Sequence, residues 1–446
     1  MAHDPGAPEL PLGPGHPDHE VEKANHFARN LRVNVVVETF WGFALSLTST
    51  YTILPVFLSK LGASQMVIAL IPGVQLAGWA LLQLPSAYFT TRLHRRTWPM
   101  ILVHLPVVAA WCAAAFVARD VAGSRPELAR SLFLACLTLS SLAMGVALPM
   151  WADYLNRQTP AHTRGRFFGW AFSAGALAAL AGGVAARRIL AGLSFPQSFA
   201  VCFFFAAGAM LVGLLPYMLV REAPVAPMVF PTAKAFARHV WEALAGSGRL
   251  RRLLGARCVL EAGVMASAFF AVRALAVCRL PDQAAGTLTM VLTGAQALAM
   301  VGAGYLGEVV GFRRVMLLGG VLAALATATG LLARSPGAFY LVFAFSGLAL
   351  SCDFMSAMNL VLDLSPDRDK TVYQAIYNTV LVPGRIVYPL LAGVMAEHAG
   401  VPVVFRVTLA LQLLGVVAVG LLLRDGKGRW CAEEEAVGRR AADGPA

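Results

Sequence analysis

Gly304-Tyr305-Leu306-Gly307-Glu308-Val309-Val310-Gly311-Phe312-Arg313-Arg314 is a short charged turn between two long apolar runs, and a worn copy recurs as Ser86-Ala87-Tyr88-Phe89-Thr90-Thr91-Arg92-Leu93-His94-Arg95-Arg96. Two such turns at matching places imply that the chain consists of two related halves. On either side of each turn the sequence has the length and polarity that a bilayer demands, since about 20 helical residues cross roughly 30 Å of hydrocarbon. Twelve approximate spans follow, at about 33–58, 64–90, 98–118, 130–155, 166–190, 197–220, 252–277, 284–305, 315–333, 337–361, 372–398 and 402–423. Composition agrees: 58% of the 446 residues are hydrophobic and 13% charged, with a mean hydropathy of +0.66, which excludes an ordinary soluble protein.

The formal charge of +12 is a matter of topology rather than of nucleic acid. Most of the Lys and Arg fall in the loops on the side that holds both termini, so that side is expected to be cytoplasmic. The densest group, Arg221, Lys234, Arg238, Arg249, Arg251, Arg252 and Arg257, lies in mid-chain, where it sets orientation and attracts anionic lipid. The expected organisation is a disordered cytoplasmic tail over 1–30, a six-helix bundle over 31–220, a linker with an amphipathic helix over 221–251, a second bundle over 252–424 and a cytoplasmic tail over 425–446. In the linker, Phe236, Val240 and Leu244 repeat at four-residue spacing beside Trp241, which suits a helix on the membrane surface as well as a tether. The seven cysteines form no Cys-x-x-Cys pair and indicate neither a disulfide framework nor a zinc site. His3, His16 and His19 lack ordered metal-ligand spacing. The first 25 residues have no apolar signal core.

The halves echo one another beyond the opening turns. Gly73-Val74-Gln75 answers Gly294-Ala295-Gln296, Glu38 answers Glu261, and Pro160 with Arg164 and Arg166 answers Pro366 with Lys370, which sets Asp153 opposite Asn359. Correspondences that keep their order argue for duplication. A glycine-spaced acid followed by an arginine pair, between the second and third spans of each half, resembles the loop signature of the major facilitator superfamily of transporters. The match is read at Gly304, Gly307, Glu308, Gly311, Arg313 and Arg314, with Glu308 where the family usually has Asp. The resemblance implies an all-α membrane protein of twelve helices in two pseudosymmetric six-helix bundles, rocking about a central cavity lined by the first, fourth, seventh and tenth spans. It also implies that the ends of spans five and eight meet, so that Glu308 could latch to Arg164 or Arg166. With Ser86, Phe89, Thr90 and Leu93 in place of the glycines and the acid, the first loop is expected to contribute little to such a latch.

Charges inside the spans carry the expectations of mechanism, because each is costly in hydrocarbon without a partner or a cavity. Asn34, Glu38, Trp41, Thr48 and Thr52 share one face of span one, which makes Glu38 a candidate substrate or proton site; a structural ion pair is the competing reading. Glu261 follows Arg257 by one helical turn and could be neutralised by it. Asp353 is deep in span ten, and Arg385, well inside an apolar run, is its candidate partner; unpaired, Arg385 would offer a planar fork to an anion. Gln75 and Gln296 occupy equivalent places and serve substrate or interhelical hydrogen bonds.

The expectation is therefore a secondary transporter of a small solute, proton-coupled, with a cationic or neutral solute favoured over an organic anion bound by Arg385. It is expected to act as a monomer in a bacterial-type inner membrane, without cofactor, metal or nucleic acid. A non-transporting sensor or assembly partner of the same fold is the alternative. No nucleotide-binding loop and no catalytic cluster is present in the sequence, so an enzyme is not expected.

Overall fold

Prolines stand beside three of the four breaks within the membrane crossings. A proline removes one backbone donor and crowds the carbonyl four residues earlier. Pro55, Pro85 and Pro383 each stand just beyond an interruption in the computed structural model, which describes residues 17–159, 164–221, 230, 232–366 and 369–422. The first crossing is α1 (Pro17–Leu47) and α2 (Ile53–Lys60), separated by a turn; the second is α3 (Gln65–Leu81) and α4 (Gln83–Thr90), broken at Leu82. Then come α5 (Thr97–Phe116), α6 (Pro126–Gln158), α7 (Arg164–Gly192) and α8 (Gln197–Leu214). After the linker helix α9 (Ala233–Gly246), the seventh crossing is α10 (Gly248–Leu260), a 3-10 turn at Glu261–Gly263, and α11 (Val264–Cys278). The remaining crossings are α12 (Gln283–Val310), α13 (Phe312–Leu332), α14 (Pro336–Leu364), the pair α15 (Lys370–Val380) and α16 (Val382–Ala399) broken at Leu381, and α17 (Val401–Leu422).

Among the described residues there is no strand. Eleven helices are long and apolar enough to cross a membrane; the first crossing makes the expected twelfth, interrupted over residues 48–52. There Thr48 spends its hydroxyl on the Ala44 carbonyl at 3.2 Å, a local bond that competes with helix continuation. One expectation is corrected at the start of the chain: helix already runs from Pro17, so residues 17–30 belong to α1 rather than to a tail. His3 and His16 lie outside the described residues, as does the tail over 425–446.

Small residues let the crossings approach. A Cβ on Gly42 would run into the backbone of Gly175, so α1 and α7 touch main chain to main chain. On its other side α7 meets α12 in the same way, Gly183 against Met290 and Gly286 against the backbone of Arg187. On the side away from the termini, termed here the far side, polar contacts among the described residues also join the halves. The Thr52 and Thr289 hydroxyls are 2.6 Å apart, Lys60 Nζ is 2.6 Å from Asp282 Oδ2, and the Met66 amide donates to Glu397 Oε1 at 3.1 Å. On the terminal side a seam joins the second and eleventh crossings: Asn378 Nδ2 donates to Gln83 Oε1 at 3.0 Å and Thr379 Oγ1 to the Ala80 carbonyl at 3.2 Å.

The apolar stripe of α9 meets protein rather than lipid. Phe236 is buried, with its ring 5.3 Å from Tyr88 and 5.2 Å from Phe230, while His239 Nε2 lies 3.2 Å from Asp369 Oδ2. Arg92 of the first half donates to the Phe230 carbonyl at 2.9 Å. The linker is thus a strap across the terminal side, with Trp241 exposed on its outer face. Beneath it the core is layered. One apolar cluster runs through the first bundle and the far side of the second, and a separate one joins α9, α10, α15 and the terminal end of α14.

Candidate functional site

Four charges lie where these two apolar clusters meet. Arg257, near the end of α10, reaches Glu261 one turn on, its Nη2 donating to Oε2 at 2.9 Å. The same guanidinium spans to the tenth crossing, with Nη1 2.5 Å from Asp353 Oδ1 and Nη2 3.0 Å from Oδ2. Its Nε donates to the Tyr377 hydroxyl of α15 at 2.8 Å. Arg385, one turn into α16, donates from Nε to Glu261 Oε1 at 2.6 Å. It also donates from Nη1 to the Leu76 carbonyl of α3 in the other half, at 3.3 Å. Two cations and two anions thus alternate as Asp353, Arg257, Glu261, Arg385. The cluster is neutral, and each arginine satisfies several acceptors, as a buried guanidinium must.

The sequence brings Arg385 and Asp353 forward as partners, and the structure exchanges them: Arg385 holds Glu261, and Asp353 is held by Arg257. Which acid faces which base depends on the rotation of four helices. The 3-10 turn at Glu261–Gly263 places Glu261 between both arginines. The helix break at Leu381 separates Tyr377 from Arg385, so the cluster grips both pieces of the eleventh crossing.

In the first half Glu38 faces differently. Among the described residues it has no hydrogen-bond donor and no cation within ion-pair distance. Its neighbours are aromatic: Tyr217 lies within its electrostatic reach and bonds the Trp151 side chain, and Tyr154 packs edge-on against Tyr217 at 5.4 Å. Asn34 and Trp41 share its face. Asn34 Nδ2 donates to Asn30 O at 2.8 Å and to Gln158 Oε1 at 3.0 Å, and Trp41 lies edge-on to His104 at 5.1 Å. Trp41, Leu45, Thr48, Gln75 and Trp79 line a pocket in the first bundle. Gln75 Oε1 accepts from Thr50 in the turn of the first crossing at 2.8 Å, and the backbone carbonyl of Gln296 accepts from Ser351 of α14 at 2.9 Å.

Each loop is tied within its own half. In the first, Arg96 is 1% exposed and its Nε lies 2.7 Å from Asp153 Oδ2. Arg92 stacks its guanidinium 4.0 Å over the Tyr88 ring and bonds its hydroxyl. In the second loop Gly311 takes φ 91, a left-handed turn that glycine adopts without strain. A Cβ on Gly307 would collide with the Phe312 ring, and one on Gly304 would crowd Met355. Arg313 donates to the Gly420 carbonyl at 2.8 Å, whereas Glu308 and Arg314 are exposed. The side chains of Arg164 and Arg166, the suggested partners of Glu308, lie outside the described residues.

Sequence reasoning missed the Arg96–Asp153 pair, the far-side ties and the place of Tyr377 in the charge cluster. Only the first left a signal, an acid in an apolar run of span four needing some cation. Among the described residues no group of His, Cys, Asp and Glu could hold a metal ion.

Comparison with known proteins agrees with this architecture. A search of curated proteins returned no match. Among solved structures, a nucleoside transporter NupG mutant superposes with a TM-score of 0.68 at 13% identity, covering 89% of this chain and 99% of that one. A POT family transporter in complex with a thioalcohol-conjugated peptide gives 0.68 at 11%, covering 89% and 97%. The xylose transporter XylE from E. coli, partially occluded and inward open, gives 0.66 at 12%, covering 91% and 99%. The family model of the Major Facilitator Superfamily matches residues 39–277 and 278–442. With twelve crossings in two halves, joined at both faces and carrying that match along almost their whole length, the chain belongs to the major facilitator superfamily.

Proposed function

We propose that the protein is a secondary transporter that moves a small cationic or neutral solute by alternating access, driven by protons taken up and released at Glu38. One observation carries the coupling role. Of the three intramembrane acids Glu38, Glu261 and Asp353, Glu38 alone has no cation beside it among the described residues. An ionised carboxylate so placed is costly, and accepting a proton removes the cost. An anion-carrying role for Arg385 is less supported, because Glu261 and Leu76 already occupy its donors. Of the proteins with the same fold, two are named for nucleosides and xylose and one was solved in complex with a peptide conjugate, which supports a small solute without selecting one. In this reading the termini are cytoplasmic, the membrane is a bacterial-type inner membrane and the working unit is a monomer.

The test is flux in proteoliposomes across a panel of solutes with and without a pH gradient. Glu38→Gln should abolish proton-driven flux while the purified protein stays monodisperse. Unchanged pH dependence in that variant removes Glu38 from coupling, and a folded protein that moves no solute of any class refutes transport.

A further inference from the structure

We propose that an anionic phospholipid of the terminal-side leaflet binds in the groove between α1, α7 and α8. Its phosphate rests on Arg29, Arg32 and Arg221, and one acyl chain follows the stripe of α1 that leads from those arginines to Phe43. The site is independent of the proton role assigned to Glu38, which projects from the other side of α1.

The groove encloses about 640 Å³, within the range of cavities that hold small ligands. Ala178, Ala181 and Gly208 leave the space, and the rings of Phe40, Phe43 and Phe205 border it. A Cβ on Gly208 would meet nothing within 4 Å, so the opening is not filled by any neighbouring helix. Thr39 also lines it but spends its one donor on the Val35 carbonyl at 2.7 Å. A hydrocarbon chain is the occupant that asks for no donor.

Charge at the terminal-side mouth sets this groove apart from ordinary lipid-facing surface. Along α1, Arg29, Arg32, Val36, Phe40 and Phe43 follow at steps of three and four residues, which keeps them within about 80° of the helix circumference. On α8 the opposing edge runs from Phe205 through Gly208 and Val212 to the 3-10 turn Leu215–Leu219. Buried Asn30 clamps the end of that turn to α1: its Nδ2 donates to the Arg221 carbonyl at 3.0 Å, and its Oδ1 accepts from the Arg221 amide at 3.2 Å. Arg29 Nε donates to the Leu219 carbonyl at 2.9 Å, and Arg32 Nε to the Ala28 carbonyl at 3.2 Å. Both guanidiniums thereby keep their terminal amines for another acceptor. All three arginines are exposed, and none has an acid within ion-pair distance among the described residues. Cations gathered in this way at a membrane surface select a phosphate. The spacing fits a lipid as well. Thr39 lies about 15 Å and Phe43 about 21 Å from Arg29 along the helix, and one leaflet holds about 15 Å of hydrocarbon. A phosphate held at the arginines therefore places the distal part of a chain in the groove.

Photolabelling of the purified full-length protein in detergent tests this. The probe is phosphatidylglycerol with a diazirine near the methyl end of one acyl chain, and labelled peptides are read by mass spectrometry. Label should concentrate in segments 39–43 and 204–212. Excess unlabelled phosphatidylglycerol should displace it, whereas phosphatidylcholine and sn-glycerol 3-phosphate at equal concentration should not. Arg29→Gln combined with Arg221→Gln should raise the phosphatidylglycerol concentration for half-maximal labelling about thirtyfold, the factor expected of two arginines at a membrane surface. Gly208→Leu fills open space without displacing a neighbour, so it should fold normally and lose the label at 204–212. Glu38→Gln should label like the native protein, which separates failure of the coupling role from failure here. The competition arms use the native protein and need no variant to fold. The proposal is overturned if phosphatidylcholine competes as well as phosphatidylglycerol, or if sn-glycerol 3-phosphate displaces the label, since a free phosphate would then suffice. Labelling spread evenly over α13 and α17, or native labelling in Gly208→Leu, overturns it equally.

Discussion

Removing both members of the Glu261–Arg385 pair should cost less than the sum of removing each alone. The two side chains are 6% and 10% exposed and 2.6 Å apart, so neither charge can be rescued by water. Glu261→Gln leaves two arginines facing one aspartate, a net charge of +1 in the cluster; Arg385→Gln leaves one arginine facing two acids, a net charge of −1. Breaking a buried pair in this way costs about 3–5 kcal/mol. The double variant retains Arg257 with Asp353, a complete and neutral pair, and loses chiefly the hydrogen bond to Leu76. Its cost should fall short of the sum of the singles by about 2–3 kcal/mol, the size of coupling seen between groups in one network. For a cooperative unit of 150–250 residues, about the size of one bundle, 1 kcal/mol moves the midpoint by about 2–4 °C. Each single variant should therefore melt at least about 6 °C below the native protein, and the shift of the double variant should fall short of the two single shifts added together by about 4 °C or more. Intrinsic tryptophan fluorescence during heating in detergent gives the readout. Strictly additive losses would refute the alternating arrangement, and single variants that melt like the native protein would refute burial of the pair.

Other parts of the structure give sharper, smaller expectations. Phe236→Ala should free the strap at a cost of about 3 kcal/mol or somewhat less, as expected for a buried aromatic truncated to alanine, with faster hydrogen exchange over 233–246 and no change in α11. Gly175→Leu forces α1 and α7 apart and should abolish the monodisperse peak in size-exclusion chromatography; a normal yield of folded protein would count against the main-chain contact. Lys60→Met removes an ion pair whose side chains are 38% and 22% exposed, so it should change stability by no more than about 1 kcal/mol, and a shift in melting larger than about 4 °C would show that the far-side tie is stronger than its exposure suggests.

The crossings and the duplication are legible in the sequence because hydrocarbon thickness imposes a length and a polarity that any reader can count. The broken crossings are only half legible. Pro383 and Pro85 announce breaks, but the turn at Glu261 has no proline, and it arises where Glu261 is drawn between two arginines. The i,i+4 spacing of Arg257 and Glu261 can be read directly, since one helix contains both. The choice of Glu261 over Asp353 by Arg385 cannot, because it depends on the relative rotation of helices that the chain joins more than a hundred residues apart. The stripe on α9 shows that something apolar covers Phe236 without showing what, and lipid and Tyr88 are equivalent to a hydrophobic pattern. The decay of the first loop suggested lost function there, yet Arg96 survives in it as one of the most deeply buried cations.

The glycine-lined contact of α7 with α12 has a mechanical meaning. Interlocking side chains would act as teeth, and any rotation of one bundle against the other would have to lift them clear. Where Gly183 and Gly286 let backbone approach the opposing helix, the surface is closer to a plain bearing, which carries load while offering little resistance to sliding. Friction between the bundles is then concentrated at the few polar catches along their rims, and the rate of turnover should be set by how fast those catches open rather than by the broad surface that turns.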